Sequence, residues 1–372
     1  MKLAIARSAL IRSLAHVQNV VERRTTIPIL GNVKLAAGDG ALELTATDLD
    51  LTLHAREEAS VERAGATTVP AHTLFDIVRK LPEGEAVRLA QKPSGNELEI
   101  EAGRSRFALP TLPVDDFPAA GGDALDVRFS IAPEELAKLI AKTRFAISTE
   151  ETRYYLNGVH FHTAGALATA MLRAVATDGH RLARIEVALP EGAERMPPVI
   201  VPRKTVAELA KLLEGARDPV EVAVSSARIR FGCGPTVLIS RLIDGSFPEY
   251  ERVIPQGNER IALLATRPFA EAVDRVATIS IEKARPVKFA FEAGKVTVSA
   301  VSPDYGRAIE ELDADYRGEP LEIGFNARYV LDILGEIDGP EVRLEMANAA
   351  APTLFRDPAD PAVLFVLMPM RV

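Results

Sequence analysis

Two histidines stand two residues apart in "GVHFHT", and a β-strand would turn His160 and His162 to the same face, as in some metal sites. No cysteine, second histidine pair or acidic cluster stands nearby to complete a coordination sphere, so the pair reads as structural. "ATDGHR" brings Asp178 close to His180, an acid–base couple in principle. No nucleophile accompanies them, and a turn in which Asp178 and Gly179 satisfy the backbone accounts for the string. Cys233 is the single cysteine; between two glycines in "RFGCGPT" it reads as a small buried hydrophobe rather than a nucleophile. One cysteine excludes an internal disulfide and suits a reducing cytoplasm. There is no G-x-S-x-G elbow, P-loop, G-x-G-x-x-G or H-E-x-x-H string. The expectation is a protein without catalysis, cofactor or metal.

The elements that would carry these residues repeat. A unit of roughly 125 residues is written three times, which is the first thing to seek in a chain of this length. Each copy opens with a strand and an amphipathic helix ("KLAIARSALIRSLAHVQNVV", "RFSIAPEELAKLIAKTRFAIS", "IALLATRPFAEAVDRVATIS") and continues into strands. A second helix follows ("VPAHTLFDIVRKLPEG", "VPRKTVAELAKLLEG", "FNARYVLDILGEIDG"), then a second strand set. Leu10, Leu14, Val17 and Val21 mark the apolar face of the first helix, and "NELEIEAGRSRFAL" alternates as a half-buried strand does. Gly-Asp-Gly, Pro-Ser-Gly and Ala-Gly-Lys read as turns. The chain thus contains six strand–helix–three-strand units paired into three domains, with boundaries expected near 113–126 and 244–260.

Composition limits what such a repeat can do. The 372 residues carry a net charge of −8, 47% hydrophobic residues, 5% aromatics and no Trp, so Leu, Val, Ile and Ala do the packing. No apolar stretch is long enough to span a membrane as a helix. An acidic chain without a basic run is a poor tight binder of nucleic acid, so any DNA role must rest on weak contacts or on topology. The helices nonetheless show polar stripes opposite their apolar faces: Arg12, His16, Asn19 and Arg23; Lys138, Lys142 and Arg144; Lys204 and Lys211; Arg267, Arg275, Lys283 and Arg285. These are ordinary solvated faces or, because they recur at equivalent places, a weakly basic surface. The final "AVLFVLMPMRV" alternates as a strand and then sets Met368 and Met370 around Pro369; it is either buried core or a surface that something else covers.

Six strings carry a resemblance: "ERRTTIPILGNVKL" (22–35), "TATDLDL" (45–51), "TRYYLNGV" (152–159), "ATDGHRLA" (176–183), "DGSFPEYERVIP" (244–255) and "MPMR" (368–371). In this order and spacing the chain resembles the bacterial DNA polymerase sliding clamp family, the beta subunit of DNA polymerase III, from residue 1 to 372. The resemblance implies an α+β fold of three DNA-clamp (processivity-fold) domains, 1–120, 127–250 and 256–372, assembling into a ring. Two chains head to tail would encircle duplex DNA independently of sequence, with helices lining the hole and sheets outside. Polymerase subunits, the clamp loader and repair proteins would dock short linear motifs in a hydrophobic pocket, in the cytoplasm at the nucleoid.

By resemblance, DNA contact falls on Arg24, Tyr154 and Tyr155, the tyrosines being read as strand neighbours. The helix stripes add Arg7, Arg12, Lys138, Lys142 and Lys204. The pocket would be built from Leu156, Thr177, Gly179, His180, Arg181 and Leu182, then Pro248, Arg252 and Val253, then Asn326, Tyr329, Val366, Met368, Pro369, Met370 and Arg371. Methionine suits a site with many partners, since its thioether adapts to different side chains. The dimer interface would set Phe107 and Leu109 against Thr278 and Ile279, where Thr278 replaces the bulky aliphatic the family pattern leads one to expect. "TAGALATAMLRAVATDGH" looks like a lengthened hairpin, and "APTLFRDPADPAVL" a proline-rich loop before the last strand. Two other readings compete: a repeat scaffold that binds proteins without enclosing DNA, and an enzyme using His180 with Asp178.

Overall fold

The computed structural model describes all residues except 93–94, 120–124, 167–168, 281–284 and 372. Part of the expected 113–126 boundary, the Pro-Ser of one expected turn, the middle of the lengthened hairpin and Lys283 therefore lie outside the described residues.

The sixfold unit is realised in the chain. The first repeat runs β1 (Lys2–Ala6), α1 (Arg7–Val20), β2 (Asn32–Gly38), β3 (Ala41–Thr47), β4 (Leu51–Glu58) and a short β5 (Ser60–Arg63). It continues with β6 (Gly65–Pro70), α2 (Ala71–Lys80), β7 (Ala86–Gln91), β8 (Glu97–Ala102) and β9 (Ser105–Pro110). The second comprises β10 (Val127–Ile131), α3 (Pro133–Arg144), β11 (Gly158–Ala164), β12 (Met171–Thr177) and β13 (Arg181–Ala188). Then follow β14 (Val199–Pro202), α4 (Arg203–Leu213), β15 (Val220–Val224), β16 (Arg228–Cys233) and β17 (Thr236–Arg241). The third holds β18 (Arg260–Ala265), α5 (Thr266–Ala277), β19 (Pro286–Glu292), β20 (Lys295–Ser302), β21 (Gly306–Asp313) and a short β22 (Asp315–Tyr316). It ends with β23 (Leu321–Asn326), α6 (Ala327–Leu334), β24 (Glu341–Met346), β25 (Thr353–Asp357) and β26 (Asp360–Leu367).

Opening strands are exchanged between the two units of each repeat. β1 joins β7, β8 and β9, whereas β6 joins β2, β3 and β4; β10 and β14, and β18 and β23, trade places in the same way. Every pairing is antiparallel, so short turns suffice. The Gly-Asp-Gly turn between β2 and β3 has positive φ at Asp39 (46°) and Gly40 (69°), the pattern of a type I′ hairpin. Sheets also cross repeat boundaries: β17 pairs with β4, and β13 with β26.

The chain divides into two compact units. The first, Met1–Ala137 with Pro190–Pro197 and Lys204–Leu242, holds a five-stranded and an eight-stranded sheet. In it α1 packs beside α2 and over β3 and β4, sinking Leu10, Leu14, Val17 and Val20 completely. The helix ends at Val20, so Arg23 of the expected stripe lies beyond it. The second unit, Lys138–Leu189 with Pro198–Arg203 and Ile243–Val372, holds a nine-stranded and a four-stranded sheet. Here the scarce aromatics concentrate. Phe269 packs at a tilt against Phe289 (5.4 Å between centroids), Phe289 against Phe325 (5.6 Å) and Phe325 edge-on against Phe355 (6.2 Å). Such pairs add to area burial because ring edges meet ring faces. No helix among the described residues is long and apolar enough to cross a membrane.

"APTLFRDPADPAVL" is not a loop. It forms β25 and β26 around a tight turn at Pro358–Ala359, because Thr353, Leu354 and Phe355 can all be buried and Asp357 accepts the Ala359 N–H (2.8 Å). Val363 to Leu367 are buried in turn, answering half the question raised by the apolar tail. Phe365 is 0% exposed and lies 5.6 Å from the Phe145 ring. Phe365→Ala is expected to cost about 3–5 kcal/mol of unfolding free energy in urea titrations, from lost transfer energy plus a cavity. Val301→Ala, at a position 78% exposed, should stay within about 0.5 kcal/mol of the parent.

Candidate functional site

A five-residue turn between β12 and β13 sets the site. Thr177 Oγ1 donates to Arg181 O (2.7 Å) and accepts from Gly179 N (3.1 Å); Asp178 Oδ1 accepts from His180 N (2.9 Å) and Arg181 N (3.0 Å). Asp178 Oδ1 is thus committed to the backbone. Gly179 is left-handed (φ 89°), and a Cβ there would collide with the Arg153 guanidinium. The same turn occurs at 47–51: Thr47 Oγ1 donates to Leu51 O (3.1 Å), and Asp48 Oδ1 accepts from Asp50 N (3.0 Å) and Leu51 N (2.7 Å). There Leu49 takes the left-handed place (φ 83°), at a cost of about 1–2 kcal/mol for a side chain with a Cβ.

Beside the 177–181 turn lies a cavity of about 340 Å³. Leu156, Leu182, Val366 and Tyr250 form its apolar wall, the last three belonging to a cluster that also contains Val175, Leu354 and Leu364. Thr177, Gly179, His180, Arg181, Pro248, Val253 and Met368 also line it. Met368 is 42% exposed and anchored through its N–H to His180 O (2.9 Å). A flexible apolar side chain on a fixed backbone therefore stands at the mouth.

Six expected lining residues lie elsewhere. Arg252 is exposed and paired with Glu249 (2.5 Å). Asn326 caps α6, its Oδ1 accepting from Arg328 N (3.0 Å) and Tyr329 N (3.4 Å). Met370 N donates to Gly324 O (2.9 Å), with Pro369 half-buried before it and Arg371 exposed after it. Tyr329 lies over Arg181, whose guanidinium is 4.3 Å from the Tyr329 centroid and 5.0 Å from that of Phe145. Arg181 also holds Asp178 (3.1 Å), Asp332 (2.5 Å) and Phe145 O (2.6 Å), making it a brace rather than a free cation. Arg153, Tyr155, Glu249 and Tyr250 line the cavity without having been assigned to it.

Most of the candidate DNA-contacting cations are already engaged. Lys142 is only 5% exposed, donating to Glu336 O (2.7 Å) and pairing with Asp338 (2.9 Å). Lys204 is held by Val20 O (2.8 Å), Glu22 (2.6 Å) and Asp48 (2.6 Å); its value is raised because those carboxylates outweigh burial. Lys138 pairs with Asp360 (2.6 Å) and Arg12 with Glu57 (3.0 Å), and Arg7 donates to Val78 O (3.0 Å) and Arg79 O (2.7 Å). Arg24 is exposed with no ion-pair partner among the described residues. Tyr154 and Tyr155 lie in a 3₁₀ turn (Glu151–Leu156), not in a strand, with their rings edge to face at 5.8 Å. Tyr154 points outward and Tyr155 into the cavity wall. Phe107 and Leu109 are on β9, and Thr278 and Ile279 follow α5.

Comparison with known proteins supplies the frame. Three family models match in series: the N-terminal domain of the DNA polymerase III beta subunit at 1–121, its central domain at 130–249 and its C-terminal domain at 251–371. The beta sliding clamp of Caulobacter vibrioides is 53% identical over 372 residues, covering all of both chains. That of Escherichia coli is 38% identical over 373 residues, again covering all of both. This chain belongs to the DNA polymerase III beta subunit family. A crystal structure of the Caulobacter crescentus beta sliding clamp matches with a TM-score of 0.97, covering 100% of this chain and 99% of that one. The sliding clamp of Bartonella birtlesii bound to griselimycin matches equally well, with 46% identity and full coverage of both chains. The three-domain α+β clamp fold follows.

In this beta-subunit chain the histidine pair supports the cavity wall. His160 stacks between His162 (4.9 Å) and Phe247 (4.7 Å), and its Nδ1 lies 3.2 Å from Val199 O. Arg173 donates to Tyr250 Oη (2.9 Å); with the tyrosine proton on its 2.9 Å bond to His162 Nε2, His162 Nδ1 carries a proton for Thr163 O (2.9 Å). A neutral imidazole closes that chain, and burial pushes His162 down in the same direction. No group of three His, Cys, Asp or Glu that could hold a metal occurs among the described residues. Burial, then the neighbouring His162, push His160 down from 6.5 to about 4. Between those values the unfolded chain holds more protons than the folded one, so stability falls as pH drops from about 6.5 towards 4. Urea midpoints measured across that window should fall less steeply in His160→Asn than in the parent; parallel curves would contradict the assignment.

Proposed function

We propose that this chain is a DNA sliding clamp, a non-catalytic processivity factor that encircles duplex DNA and tethers the replicative polymerase. The observation that carries the reading is the end-to-end similarity to beta sliding clamps, 53% identical over all 372 residues of the Caulobacter vibrioides protein. The physics fits. Each phosphate contact adds salt-dependent binding through counterion release, and many contacts would act as a brake on sliding. A chain of net charge −8, with most of its candidate channel cations tied to carboxylates, avoids that brake and relies on topology.

The three domains would span 1–120, 127–250 and 256–372. Two copies would close the ring head to tail in the cytoplasm, at the nucleoid. Two strand edges support that assembly: β9 ends one sheet with Phe107 40% exposed, and β21 ends another with Ile309 72% exposed. Exposed apolar edges are normally avoided unless something pairs with them. Leu109, Thr278 and Ile279 would flank that joint. Arg24 and Tyr154 are the foremost DNA contacts, with Tyr155 supporting Tyr154. Arg7, Arg12, Lys138, Lys142 and Lys204 would contribute less, each being already bonded.

Polymerase, loader and repair proteins would insert short linear motifs into the cavity beneath Met368. Arg252, Asn326, Tyr329, Pro369, Met370 and Arg371 would frame its approaches. Met368→Ala should weaken a labelled polymerase-derived peptide about tenfold in fluorescence polarisation, the cost of one lost apolar contact. Unchanged affinity would move the peptide elsewhere. For the ring itself, protein placed by its loader on nicked circular plasmid should stay bound through gel filtration and be lost once the plasmid is linearised. Equal retention on both forms, fading smoothly with salt, would instead mean ordinary electrostatic binding.

A further inference from the structure

A second cavity, of about 690 Å³, shares His180 and Arg181 with the first but has a different chemistry. Its carboxylates are Glu150, Asp178 and Asp332, and each is already bonded to an arginine: Glu150 to Arg153 (2.8 Å), the two aspartates to Arg181. Three other guanidiniums line the same space, Arg144 at the end of α3, Arg203 at the start of α4 and Arg328 in the first turn of α6. All three are exposed and have no side-chain hydrogen bond or ion pair among the described residues. Counting Arg153, five guanidiniums meet three carboxylates, leaving two net positive charges in a chain whose total is −8.

We propose that Arg144, Arg203 and Arg328 form a cleft that binds the phosphodiester backbone of the encircled nucleic acid. The inference rests on the clamp reading and deepens it, since none of the three was among the candidate DNA contacts. Guanidinium forks match phosphate oxygens geometrically, and the Thr149 side chain on the cleft wall is exposed, with a hydroxyl able to donate to the same ligand. Two observations favour a phosphodiester over an acidic peptide. The aromatic faces that could anchor a peptide, Phe145 and Tyr329, are already covered by Arg181. The wall at 148–150 leads directly into the 3₁₀ turn that carries the exposed Tyr154.

The test is equilibrium binding of a short fluorescent duplex across a salt series, comparing the full-length parent with Arg144→Gln/Arg203→Gln/Arg328→Gln. Removing three phosphate contacts should flatten the slope of log K against log salt by about 2–3 and weaken binding at low salt. Arg144→Lys/Arg203→Lys/Arg328→Lys keeps the charge and should restore most of the slope; it also guards against a folding defect in the Gln variant. An unchanged slope in the Gln variant would overturn the proposal. So would loss of a polymerase peptide with duplex binding intact, which would assign the cleft to acidic peptides. Plasmid retention of the parent protein judges the clamp reading separately, so failure of the cleft leaves that reading standing.

Discussion

The ladder between β13 and β26 is the constraint on which the candidate site depends. Arg181 pairs with Leu367 and Ile185 with Val363, which sets Leu182 opposite Val366 on the cavity side. A slip of one residue would turn both away, because strand side chains alternate. The same register delivers Met368 N to His180 O and, two residues on, Met370 N to Gly324 O. The Met368 backbone at the mouth is thus anchored, and its side chain is the part left exposed. The backbone beneath it is held on both sides by sheet.

Charge is managed with similar economy. Arg181 satisfies two carboxylates and a carbonyl while covering two aromatic faces, so a buried guanidinium does not remain uncompensated. Lys142 and Lys204 are neutralised in place. Arg24, Arg144, Arg203 and Arg328, which have no ion-pair partner among the described residues, stand out against an acidic background. A clamp reading therefore does not require a basic protein, only a few uncommitted guanidiniums where the backbone of DNA would pass.

Much of this was legible in the residues. The helix periodicity at Leu10, Leu14 and Val17, the Gly-Asp-Gly hairpin and the Thr-Asp-Gly turn report on contacts within a few positions, and local rules reach them. The exchange of β1 and β6 between sheets was not legible, because pairing partners far apart in sequence leave no periodic trace. Tyr154 and Tyr155 misled for a related reason: aromatic neighbours favour strands, but here Leu156 is buried and Asn157 N bonds to Tyr154 O, tightening the chain into a 3₁₀ turn. The cations of the helix stripes were correctly seen as polar, yet whether a lysine is free or paired depends on carboxylates a hundred or more residues away, as with Lys204 and Asp48. Tyr250 carried no signal at all. Its hydroxyl matters only because Arg173 and His162 converge on it.

Cys233 ends β16 half-buried, and burial pushes its thiol up to about 11. At neutral pH roughly one molecule in ten thousand would present the reactive thiolate there. The native chain is therefore close to silent towards maleimides and mild oxidants. A cysteine introduced at an exposed position, with an ordinary thiol value, would react ahead of it. Site-specific dyes, spin labels or crosslinkers can be attached while the native cysteine is left in its strand.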